Sequence, residues 1–95
     1  MLKSAALLSA MANPKRLAIL ELLLQGEMAV GELAGQVGLS QSALSQHLAK
    51  LRARRLVSTR RDAQTIYYSS RSAEVQAILA ALGEIFGEGP KQTAI

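Results

Sequence analysis

Gln41, Ser42, Ser45 and Gln46 are the residues of this chain best suited to chemistry with a partner. A glutamine amide carries both a donor and an acceptor, so it can pair with N6 and N7 of an adenine at once. Serine adds an adaptable hydroxyl and is small enough to allow close approach. At about 100° per residue Ser42 and Gln46 lie opposite Leu44, Leu48 and Leu51, which form one stripe; Ser45 flanks them and Gln41 sits in the first turn. Lys50 and Arg52 follow late in the same segment. A polar face of this kind can also be plain solvated surface, so the elements around it decide the reading.

Those elements are two short amphipathic helices joined at Gly38. Leu33 and Val37 give the first its buried stripe. Gly38 suits the left-handed conformation that ends a helix, and Ser40 is a natural N-cap for the next. The pair has the layout of a helix-turn-helix, which places its second helix (here 40–54) in the DNA major groove.

Charge supports this reading. The net charge of +4 is unevenly distributed. Residues 50–71 hold Lys50, Arg52, Arg54, Arg55, Arg60, Arg61 and Arg71 against Asp62 alone. A basic block beside a polar reading face is the footprint of a polyanion binder. No RNP-like aromatic interleaving argues for RNA.

Leu56–Arg60 and Gln64–Ser69 are rich in β-formers and are separated by a short connection at 61–63. They predict a hairpin over 56–69, a wing with Arg60 and Arg61 at its tip and Gln64 and Thr65 beside them. Tyr67 and Tyr68 are expected to pack. Helices are expected at 2–11 and from Pro14, capped by Asn13, to about Gln25. A last helix starts near Ser72, with Glu74 placed for its dipole. The fold class is mainly α with a small β-hairpin: a winged helix-turn-helix of four helices, two strands and a fifth helix. Residues 1–87 form one DNA-binding and dimerisation domain, and 88–95 a loose tail.

Leu2, Ala5 and Leu8 on the first helix, with Val75, Ile78, Leu79, Leu82, Ile85 and Phe86 on the last, exceed what so small a domain needs internally. They are the expected homodimer surface. The plainer alternative is that both helices merely cap the monomer core.

Other chemistries find no residues. There is no cysteine, which excludes disulfides and thiolate metal sites. His47, the single histidine, has no visible co-ligands and is expected to hydrogen-bond locally or to phosphate. No nucleophile–base pair and no phosphate-binding glycine loop is present, so no enzyme and no cofactor is expected. No stretch approaches a membrane span or a secretory signal, so a cytoplasmic location is expected.

Ala12–Leu20 (ANPKRLAIL), Gly31–Arg52 (GELAGQVGLSQSALSQHLAKLR), Leu56–Arg61 (LVSTRR) and Gln64–Ser69 (QTIYYS) together resemble the ArsR family of dimeric winged-helix repressors. The resemblance spans residues 5–87. It implies a homodimer that binds a double-stranded operator with imperfect palindromic symmetry. It also implies insertion of Gln41–Lys50 into the major groove and contact through the hairpin at 60–65.

Metal-sensing members carry cysteines where this chain has Val30, Gly31 and Glu32, or an Asp/His/Glu set where its last helix has only Glu74 and Glu84. Thiol-sensing members carry cysteines in the second helix, near Glu21 here, and near Phe86-Gly87. The family's usual inducer residues are absent, and no metal partner is expected. The competing function is a protein-interaction module on the same scaffold, without specific DNA binding.

Overall fold

The computed structural model describes residues 2–87, so the tail expected at 88–95 lies outside the described residues. The elements are α1 (Leu2–Met11), α2 (Pro14–Gln25), β1 (Met28–Ala29), α3 (Val30–Val37), α4 (Gln41–Ala53), β2 (Ser58–Asp62), β3 (Thr65–Ser69) and α5 (Ala73–Phe86).

Local chemistry starts and stops these elements. Asn13 Oδ1 accepts from the amides of Lys15 and Arg16, at 2.8 and 3.1 Å, and Pro14 fills the first helical position. Ser40 Oγ accepts from the Ala43 amide, and Ser72 Oγ from the Val75 amide. Gly38, at φ +70°, ends α3 in the left-handed conformation. The end of α4 achieves the same closure without a glycine. Arg55 takes φ +59°, its amide donates to the Arg52 carbonyl, and the Leu56 amide donates to that of Leu51. This six-to-one, five-to-two pattern is a Schellman closure.

That closure corrects the expected wing. Leu56 and Val57 are buried in the core rather than paired in a strand. The hairpin runs from Ser58 to Asp62 and back from Thr65 to Ser69, with Asp62 opposite Thr65. Ala63 and Gln64 make the turn, Ala63 with φ +57°. Arg60 is therefore opposite Tyr67, in mid-strand, and not at the tip. The sheet also has a third strand, in the order β1-β3-β2, with Met28 opposite Tyr68 and Ala29 opposite Tyr67. Two residues cannot display the alternation that reveals a strand.

One hydrophobic cluster holds the elements together. Ile19, Leu20 and Leu23 of α2 meet Leu33 of α3, the Leu44, Leu48 and Leu51 stripe of α4, and Val75 of α5. Among the described residues Ser70 is the buried polar one. Its hydroxyl donates to the Leu56 carbonyl and its amide to that of Leu23, fixing the end of the wing to the body.

Val75 is fully buried in this core, so it cannot belong to a dimer surface as expected. It lies in the first turn of α5 and packs into the cluster built by α2, α3 and α4. Ile78 and Leu79 are shared: half-buried, they pack against the core and keep an outer edge. Leu82 is also half-buried. Among the described residues Leu2, Leu8, Ile85 and Phe86 are the large hydrophobics left exposed. No helix among the described residues is long and apolar enough to cross a membrane.

Candidate nucleic-acid interface

α4 lies across α2 and α3 with its three leucines inward, so Ser42, Ser45, Gln46 and Ala49 are all exposed on its outer face. These positions recur at i, i+3, i+4 and i+7 and make one continuous strip. Lys50 and Arg52 are exposed and flank the strip on opposite sides near the helix C-terminus, where the macrodipole favours cations. Gln41 is exposed in the first turn. A Cβ built on Gly31 would lie 3.7 Å from its amide nitrogen, so the side chain reaches back over the start of α3.

The turn that aims α4 is clamped from α2. Lys15 Nζ donates to the Val37 carbonyl at 2.5 Å, satisfying the frayed end of α3 beside Gly38. Nothing in the sequence marks Lys15 for this role, because the two residues are far apart along the chain.

The wing presents its two arginines differently. Alternate strand residues face opposite sides. Arg60 is turned toward the body, where Nε and Nη2 hold the two oxygens of Glu27 at 3.1 and 2.5 Å, and its guanidinium lies 4.6 Å from the Tyr67 ring centroid. Arg60 thus braces the wing against the segment leading into β1. Arg61 faces the other way, exposed and without an ion-pair partner among the described residues. Gln64 occupies the tip, and Thr65 is exposed where the chain returns. Arg60, expected at the tip, is thus in mid-strand and paired with Glu27, while Arg61, Gln64 and Thr65 stand exposed at or near the tip. Glu27 carries no sequence signal as a wing contact because its link to Arg60 is made only by folding.

The brace has a titration signature. The hydrogen bond from Arg60 holds the Glu27 carboxyl below its ordinary 4.5, with Arg71 adding a weaker pull in the same direction. A depressed carboxylate contributes above its unfolded value, and the contribution disappears as the pH falls through the folded value. Carbon-detected NMR should place the Glu27 midpoint below 4.5 in the native protein, and Arg60→Met should move it back toward 4.5. An unchanged midpoint in the variant would remove the brace.

Among the described residues no three of His, Cys, Asp and Glu are close enough together to hold a metal ion. Glu74 is engaged at the head of α5, where its own backbone amide and the Ser72 hydroxyl lower its pKa.

Comparison with known proteins agrees with this architecture. The family described as "Bacterial regulatory protein, arsR family" matches residues 13–59, from the Asn13 cap into the wing. The nodulation protein NolR of Rhizobium meliloti is 71% identical over 85 residues, covering 90% of this chain and 70% of that protein. The crystal structure of NolR from Sinorhizobium fredii superposes with a TM-score of 0.89 at 70% identity, covering 92% of this chain and 87% of that one. The transcriptional activator HlyU of Vibrio cholerae is 52% identical over 84 residues, 88% of this chain and 78% of its own length. A homodimeric winged helix-turn-helix DNA-binding domain from Mycobacterium bovis, a possible ArsR-family regulator, matches with a TM-score of 0.79 at 34% identity, covering 90% and 80%. With its helix-turn-helix, its wing and these relatives, the chain belongs to the arsR family of bacterial regulatory proteins.

Proposed function

We propose that the protein is a homodimeric, sequence-specific DNA-binding transcriptional regulator, a repressor that occupies an imperfect palindrome. The observation that carries this reading is the exposed Ser42, Ser45, Gln46 and Ala49 strip, held outward by buried leucines and flanked by Lys50 and Arg52. Two copies of α4 related by a two-fold axis would enter major grooves one helical turn apart, about 34 Å. Gln46 and Gln41 read base edges, with Ser42 and Ser45 beside them. Lys50 and Arg52 meet the backbone, and Arg61, Gln64 and Thr65 carry the wing to the flanking phosphates or minor groove.

The relatives support a regulatory role in either direction: one is named an activator, another a nodulation protein. Repression follows when the bound site overlaps a promoter, because the dimer covers the groove that polymerase needs. The protein acts in the cytoplasm, where its operator is, and nodulation genes are the first targets to test. It performs no catalysis and needs no cofactor or metal.

The test starts from the duplex that the wild-type protein enriches from a randomised pool. Gln46→Ala should weaken binding to that duplex by ~1–3 kcal/mol and relax preference at one or two positions per half-site. Arg61→Ala should weaken the enriched and scrambled duplexes alike and flatten the log–log salt slope by about one unit for each phosphate it no longer neutralises. Equal losses on both duplexes for Gln46→Ala, with Arg61→Ala affecting only the enriched one, would reverse the two roles. Failure to enrich any sequence would favour the protein-interaction alternative.

A further inference from the structure

Arg16 lies in the first turn of α2 and reaches two other helices at once. Its Nε donates to the Ala10 carbonyl, in the last turn of α1, at 2.7 Å. Its Nη1 lies 3.3 Å from Nδ1 of His47, on α4. Both contacts are partly buried, and neither is used by the DNA-contacting strip. The guanidinium has no lone pair and stays protonated, so it can only donate. His47 Nδ1 must accept, which makes the ring neutral with its one proton on Nε2.

We propose that Arg16 and His47 are a positioning pair that sets the reading helix against the helix expected to dimerise, and that sequence discrimination depends on their contact. The proposal rests on the DNA-reading role of α4 given above. The guanidinium fork holds its donors at fixed separation, so the two bonds together set the spacing between the end of α1 and α4. His47 is the neighbour of Gln46, and a small roll of α4 moves the Gln46 amide off a base edge. Non-specific binding through phosphates tolerates such a roll, whereas bidentate base pairing does not.

Protonation of His47 abolishes the contact, because Nδ1 then becomes a donor facing a donor. The groups that act on the ring are Arg16 from α2 and Lys50 on α4 itself. Burial foremost, then these two cations, hold its pKa below the ordinary 6.5. Of the other elements packed on α4, α1 carries only Lys3, at its opposite end, and α3 only Glu32. Lys15 and Glu21 complete the charges of α2, and Lys15 is bonded to Val37. The contact is therefore intact at neutral pH and opens on acidification through the lowered value.

The experiment measures affinities for the enriched and a scrambled duplex at about pH 7.5 and at an acidic pH where NMR shows the His47 ring protonated. Arg16→Lys keeps the charge and loses the fork. It should lower affinity for the enriched duplex about 10-fold at the higher pH, while scrambled-duplex affinity and dimerisation stay within about twofold. The wild-type ratio of the two affinities should fall by a comparable factor on acidification. His47→Asn places an amide oxygen near the position of Nδ1 and cannot titrate. It should keep most of the discrimination and lose the pH dependence.

An Arg16→Lys protein that discriminates like wild type overturns the proposal. So does a wild-type ratio indifferent to pH, or a pH dependence that survives in His47→Asn. If acidification instead tightens both duplexes together, His47 is a phosphate contact and not a positioning residue. Absence of any preferred duplex for the wild type defeats the DNA-reading role itself, a result distinct from all of these.

Discussion

Replacing both Ile85 and Phe86 by glutamate is expected to yield a folded monomer that no longer holds its operator. The two side chains are 69% and 66% exposed at the end of α5, and Leu2 and Leu8, at 87% and 53%, are the other large exposed hydrophobics. All four lie on α1 and α5. Scattered exposed leucines need no explanation, but a set confined to two helices suits the proposed homodimer contact. A two-fold pairing of these helices buries the patch on both copies with one set of contacts.

Neither residue belongs to the monomer's buried core, so charging them leaves the cluster around Leu20 and Leu44 intact. Val75→Glu would not serve, since that side chain is fully buried and its charge would unfold the domain. A monomer reads one half-site and forfeits the second, so operator affinity should fall toward the non-specific level, about 1000-fold or more. Sedimentation equilibrium at micromolar concentration, with circular dichroism to confirm the fold, checks the first part, and a DNA titration the second. A dimeric Ile85→Glu/Phe86→Glu protein with unchanged affinity would place the interface elsewhere.

The largest expected loss of stability comes from Leu44→Ala. Leu44 is fully buried on α4, between the helices that carry Leu20 and Leu33. Truncation removes its transfer free energy and leaves a cavity, at a cost of about 2–5 kcal/mol. A domain of this size has only roughly 5–15 kcal/mol in total. Thermal unfolding at fixed protein concentration should show Tm lowered by about 10 °C or more. Ser45→Ala, one position on and exposed, should stay within about 0.5 kcal/mol. The contrast separates the two faces of α4: Leu44→Ala should impair binding through the unfolded fraction, Ser45→Ala through the missing hydroxyl. A Leu44→Ala protein as stable as wild type would contradict the packing.

Much of this was legible along the chain because it is written in local terms. Asn13, Ser40 and Ser72 cap the helices that follow them, since a cap bond spans only two or three residues. The Leu44, Leu48 and Leu51 stripe is inward, as its period requires. Where signals were short or shared between conformations, the reading slipped. Leu56 and Val57 have strand-forming neighbours, yet they belong to the closure of α4, and that closure uses Arg55 where a glycine would have announced it.

The sequence by itself determined the helices, the helix-turn-helix, the outward placement of Gln46 and its neighbours, and the concentration of positive charge after residue 49. Periodicity, capping and composition act between residues a few positions apart, so each can be read without knowing the fold. Only the tertiary structure paired Arg60 with Glu27, across 33 positions, and left Arg61 without an ion-pair partner among the described residues. It also assigned Val75 to the core, paired β1 with β3, and brought Arg16 to His47 across 31 positions. Such contacts depend on how whole elements pack, and an apolar or charged side chain carries no mark of which of several surfaces will claim it.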